Sequence, residues 1–161
     1  MLDLSVVRDG GSSADALAAT TETAQAADRL GFRRFWVAEH HNMATVASTT
    51  PGVLIAHIAS ATERIRVGSG GVMLPNHAPL AIAEQFALLE ALHPGRIDLG
   101  IGRAPGTDPL TAAAFGRNPR ESVEKFPRHL VDLMGMLGDR REEDGLWTRL
   151  QATPVATSSP T

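Results

Sequence analysis

The chain has 161 residues, of which 43% are hydrophobic and 20% charged, and its formal net charge is -3. These values fit one globular domain and give no electrostatic reason to expect nucleic acid or a membrane as partner. Cysteine is absent, which excludes disulfides and thiol catalysis and leaves zinc only His and carboxylate ligands; no metal site is expected.

In chain order, an apolar run at Leu2–Val7 reads as a first strand and leads into Arg8-Asp9-Gly10-Gly11. Ser12 with Asp15 three residues on fits a capping box and opens a helix predicted to run to about Leu30 and stop at Gly31. Phe32–Glu39 is a second strand, leading into His40 and His41. Thr50-Pro51 starts a second helix with Leu54, Ile58 and Ala61 as its apolar stripe. Ile65–Leu74 holds a third strand and a glycine-rich exit, Gly68-Ser69-Gly70-Gly71. Pro79 opens a third helix with Ile82, Phe86 and Leu89 on one face, closed by Pro94-Gly95. Ile97–Ile101 is a fourth strand, running into Gly102-Arg103 and then a loop rich in Gly and Pro. After Pro127, the spacing of Leu130, Leu133, Met134 and Leu137 predicts a further helix. Strand, polar turn and helix repeated in this way predict an α/β fold with a parallel sheet whose carboxyl edge builds a site. Residues 1–138 form the expected domain, and 139–161 read as a polar segment and a disordered tail. No apolar run approaches the ~20 residues of a membrane span, and no basic region precedes a signal core, so the cytoplasm is the expected compartment.

The chemistry collects at the strand exits. Side chains alternate along an extended strand, so Glu39 and His41 are predicted to point one way and His40 the other. That makes adjacent histidines a poor metal pair but suits one imidazole facing a ligand while its neighbours hold orientation. The competing reading is polar residues that solvate a strand end. Gly68-Ser69-Gly70-Gly71 permits close backbone approach to a flat or anionic ligand, or else is a turn or bulge. It is neither a Walker sequence nor a dinucleotide fingerprint, because Met73 stands where the last glycine would be. Asn76 and His77 either cap the next helix or reach a ligand, with capping preferred. Arg103 reads as a phosphate clamp or a solvated arginine. Asp98 fits a buried, hydrogen-bonded carboxylate, and Trp36 fits packing against helices.

Read together, Trp36-Val37-Ala38-Glu39-His40-His41-Asn42, Arg66 to Pro79, Ala83-Glu84-Gln85 and Pro94 to Arg103 resemble the bacterial luciferase-like monooxygenases in order and spacing. The resemblance implies a TIM (β/α)8 barrel and a flavin-dependent oxidoreductase using reduced FMN and O2 on a small organic substrate, with F420 as the alternative cofactor. It implies that His40 is catalytic, that Gly70 and Gly71 lie beneath the flavin ring, that Arg103 holds the flavin phosphate, and that Glu39 belongs to the same pocket. A flavin reductase is the implied partner, and a homodimer is expected from the open strand edges that half a barrel would leave. A full barrel needs about 250 residues, so about four βα units, the N-terminal half, are expected here. The alternative expectation is a non-catalytic flavin-binding or subunit-interaction protein of the same descent.

Overall fold

The computed structural model describes residues 1–104, 108–139, 146–155, 158 and 160. Four strands, β1 (Leu2–Asp3), β2 (Arg34–Val37), β3 (Arg66–Met73) and β4 (Ile97–Gly102), pair in parallel in the order β1-β2-β3-β4. Parallel neighbours need a crossover between them, and α1 (Ser13–Arg29), α2 (Pro51–Ser60) and α3 (Pro79–Leu92) provide one each. A short helix α4 (Pro109–Ala114) and a long one, α5 (Pro119–Met136), follow β4.

The period-two alternation of strands decides what each face does. Phe35, Val67 and Ile97 are register partners across β2, β3 and β4, and each is 0% exposed. They share one core with Ala24 and Ala27 of α1, Ile55 and Ile58 of α2, and Ile82 and Phe86 of α3, so these helices cover the same face. Leu2, Trp36, Gly68 and Asp98 are also register partners and fall on the other face, where Leu2 is 53% exposed. Trp36 therefore does not pack against helices as expected, because its neighbours Phe35 and Val37 occupy that side. Its indole N–H donates to Asp98 Oδ2 at 2.8 Å.

The capping box forms as predicted: Ser12 Oγ accepts from the Asp15 N–H at 3.1 Å, and the Ser12 N–H donates to Asp15 Oδ2 at 2.9 Å. Near the other end of α1, Asp28 accepts backbone N–H groups of Glu63, Arg64 and Ile65 at 2.8, 3.2 and 2.9 Å, tying the helix to the start of β3. Burial pushes the Asp28 carboxyl up, but these N–H groups favour the ionised form and leave it below its ordinary value of 3.8. A depressed folded-state pKa gives stability that is present above the unfolded value and lost as pH falls through the folded one. Asp28→Asn is accordingly expected to be less stable than the parent at neutral pH, with the gap narrowing in acid. Urea midpoints at both pH values check this, and a gap that stays constant would assign the loss to geometry instead of charge.

Four elements differ from expectation. The first strand is two residues long because Ser5 takes φ 51°, with its N–H on Asp3 Oδ1 at 2.6 Å, and the chain turns. The loop after β4 contains α4, capped by Asp108. The last helix begins at Pro119, capped by Asn118, with Pro127 inside it. Trp147 and Ala152 come from stretches read as a polar segment and a disordered tail, yet each is only 4% exposed. Trp147 packs against Gly135 of α5, and the Arg128 guanidinium lies 5.8 Å from its ring centroid. Among the described residues no helix is long and apolar enough to cross a membrane.

Candidate active site at the carboxyl edge of the sheet

The segment leaving β2 is pinned by backbone groups. The Ala38 N–H donates to Asp3 O at 3.1 Å and the His40 N–H to Ser48 O at 3.0 Å. Asn42, at φ 56°, then turns the chain away. Inside this turn Glu39 is 0% exposed. Its Oε1 accepts from His41 Nε2 at 2.8 Å and His77 Nε2 at 2.7 Å, and its Oε2 accepts from the Met73 N–H at 2.9 Å. Burial works against the charge, but the two imidazoles and the Met73 N–H outweigh it and hold the carboxyl below its ordinary value. One carboxylate thus joins the exit of β2 to the end of β3 and the entry of α3.

Glu39 and His41 do share a side, as the alternation predicted, although β2 itself ends at Val37. His40 is half-buried, and its Nδ1 is buried with no hydrogen-bond partner. A buried polar atom without a partner is uncommon and asks for one. His77 was expected to cap α3. Instead Ala78 holds the N-cap position, without a side-chain cap bond, and His77 turns to Glu39.

The glycines do different work from one another. The register between β3 and β4 shifts between Ser69 and Val72, which is the bulge reading of this segment, and the Gly70–Gly71 peptide is cis. A Cβ on Gly71 would lie 2.8 Å from Gly100 O, so β4 requires a glycine there whether or not a ligand binds. A Cβ on Gly70 would point toward Leu2 and Trp36, at 2.8 Å from Leu2 Cδ1 and 3.3 Å from Trp36 Cε3. Gly70 therefore gives room to the Leu2 and Trp36 side chains, and stays half-buried beside them on the face opposite the helices.

Met73 is the register partner of Gly102, so Arg103 follows the residue beside the Glu39-bound Met73. Arg103 is exposed and makes no ion pair among the described residues. Helix α4 reaches the same edge. Asp108 accepts from Asn42 Nδ2 at 3.1 Å, and Phe115 meets the His41 ring edge-on at 4.8 Å between centroids. The Thr111 hydroxyl, the Asn42 amide and two backbone N–H groups hold the Asp108 carboxyl well below the usual range. Phe115 is the site-edge residue that sequence reasoning did not place, and for His77 the site was the less favoured of two readings; neither lies in a motif with Glu39. Among the described residues no group of three or more His, Cys, Asp or Glu is arranged to hold a metal ion.

Consecutive parallel βα units with titratable groups gathered at the strand ends define part of a (β/α)8 barrel with a candidate site at its carboxyl edge. The model of the luciferase-like monooxygenases matches residues 1–144, and the chain belongs to that family. It is 47% identical over 134 residues to a luciferase-like monooxygenase of Escherichia coli K12, covering 83% of this chain and 40% of that protein. It is 40% identical over 160 residues to the N-acetyl-S-alkylcysteine monooxygenase of Bacillus subtilis, covering 99% of this chain and 48% of that protein. The crystal structure of apo-MsnO8 matches at a TM-score of 0.86 and 40% identity, over 100% of this chain and 46% of that one. The chain thus spans about half the length of the curated relatives it matches.

Proposed function

We propose that this chain supplies the first four βα units of a monooxygenase that uses reduced FMN and O2 to oxidise a small organic substrate. The observation that carries this reading is the joining of strand exits through one buried carboxylate, Glu39, with Gly70 on β3 and Arg103 just past the end of β4. The residues present fit a flavin: Gly70 carries no side chain and is bordered by apolar Leu2 and Trp36, which suits a flat ring, Arg103 is an exposed cation for its phosphate, and His40 Nδ1 is buried without a partner. When bound, reduced flavin supplies the electrons that activate O2. In this reading His40 moves or holds a proton at the ring, Glu39 keeps the pocket's histidines in place, and Gly70 and Gly71 admit the ring. F420 is the less favoured cofactor, and a separate flavin reductase, a homodimer and a cytoplasmic location complete the proposal.

A second reading, a non-catalytic flavin-binding or subunit-interaction protein, draws support from the chain's spanning about half of its relatives. Anaerobic titration of the purified chain with reduced FMN, with its solution mass recorded, tests both. Saturable binding followed by oxygen-dependent substrate turnover supports the monooxygenase. Binding without turnover supports the non-catalytic flavin binder, and no binding by a folded chain removes the monooxygenase and leaves the subunit-interaction protein. Arg103→Ala is expected to weaken FMN about tenfold, the size of a lost charge-assisted contact, and to leave riboflavin affinity unchanged, since riboflavin has no phosphate. Equal losses for the two ligands would sink the phosphate clamp.

A further inference from the structure

We propose that His77 is a further residue of this site, and that Glu39 is its positioning residue, fixing His77 and His41 with the proton on Nε2 so that Nδ1 is the atom each ring turns toward a ligand. The argument starts from donor counting. An ionised carboxylate only accepts, so any ring nitrogen bonded to it must carry a proton. Glu39 Oε1 lies 2.8 Å from His41 Nε2 and 2.7 Å from His77 Nε2, and the remaining oxygen is taken by the Met73 N–H at 2.9 Å. Both rings therefore carry hydrogen on Nε2, and in the neutral state Nδ1 of each is left as an acceptor. A buried carboxylate holding one edge of an imidazole fixes both its tautomer and its orientation.

The arrangement is more than local structure needs. The turn after β2 is already held by backbone bonds to Asp3 and Ser48, and α3 starts at Pro79 without help from His77. What Glu39 adds is the fixing of two rings from different elements on one point. Neither ring is sealed in: the side chains of His41 and His77 are 13% and 28% exposed, against 0% for Glu39. The group His77 would receive is a ligand N–H or O–H. That ligand step rests on the flavin reading, whereas the tautomer step does not.

The test begins with the uniformly 15N-labelled full chain, without cofactor, at a pH where the rings are neutral. Long-range 1H–15N correlation, assigned with His77→Asn and His41→Asn, reads which ring nitrogen carries hydrogen. The expected result is Nε2–H for both rings, with one or both shifting to mixed tautomers in folded Glu39→Gln, whose amide has only one accepting oxygen. Nδ1–H or a mixture for His77 in the parent chain would overturn the proposal. The parent spectrum decides this even where the variant does not fold. The second arm measures reduced FMN affinity. His77→Asn is expected to weaken it about tenfold, as for one lost hydrogen bond, and the double variant with Glu39→Gln to lose less than the sum of the two single losses, because Glu39 acts in part through His77 and in part through His41. Full additivity, or no loss in His77→Asn, would remove His77 from the ligand site. Absence of FMN binding by the parent would overturn the flavin reading and the ligand step with it, and leave the tautomer result standing.

Discussion

Asp98→Ala is expected to destabilise the fold by about 3 kcal/mol, the low end of the range for removing one partner of a buried ion pair. Asp98 is 2% exposed and gathers Arg34 Nε at 3.0 Å, Trp36 Nε1 at 2.8 Å and Arg66 Nε at 2.8 Å. These donors come from β2 and β3, so the carboxylate on β4 ties three strands together on the face opposite the helices. Removing it leaves the Arg66 guanidinium, whose side chain is 25% exposed, beside an apolar methyl group. Arg34, at 45% side-chain exposure, regains water more readily, which keeps the cost at the low end. Asp98→Asn retains one acceptor and is expected to lose less. Urea unfolding of the folded variants checks the order, and a parent-like midpoint for Asp98→Ala would show that the cluster is ornamental to stability.

Gly68→Ala is expected to cost about as much, roughly 3 kcal/mol, by overpacking and not by lost charge. A Cβ at Gly68 would stand 2.4 Å from Asp98 O and 2.5 Å from Asp98 Cβ. Backbone cannot swing aside like the end of a long side chain, so β3 and β4 would have to part. The same movement would pull Asp98 from Arg66, and the two substitutions are therefore expected to be less than additive when combined. A thermal midpoint for Gly68→Ala within a degree or two of the parent would contradict this account of the seam.

The legible parts of the fold were those written in local chemistry. Proline at Pro51 and Pro79 marks two helix starts because its missing N–H costs nothing there, and both helices begin at those residues. Ser12 and Asp15 speak for themselves within four residues. Pro127 misled for the same reason that Pro79 informed: proline reads as a start, yet here α5 carries it internally on an exposed face, and the true start is set by Asn118. Leu2–Val7 looked like a strand because its pattern is apolar. The turn at Ser5 comes from a side-chain bond of Asp3 that hydrophobicity does not register. The burial of Trp147 and Ala152 was hidden by the polar composition around them.

The site divides along similar lines. That Glu39 and His41 meet follows from strand alternation, which acts over two residues. That His77 joins them depends on how the ends of β2 and β3 stand side by side, a relation between positions 38 residues apart. Its visible cue was a histidine two residues before Pro79, and capping explained that cue equally well. The family resemblance placed the motifs at the correct edge, but it did not distinguish Gly71, which β4 demands, from Gly70, which faces Leu2 and Trp36.

The placement of the aromatic residues has an optical consequence. The chain has two tryptophans and no tyrosine, so its ultraviolet emission comes from two sites in contrasting surroundings. Trp36 borders Gly70 with its indole N–H on a carboxylate, while Trp147 is packed against α5 under a guanidinium. A flat, absorbing ligand on the Gly70 face would quench the first more strongly than the second. The protein thus carries a reporter at its candidate site and an internal reference away from it, with no label attached.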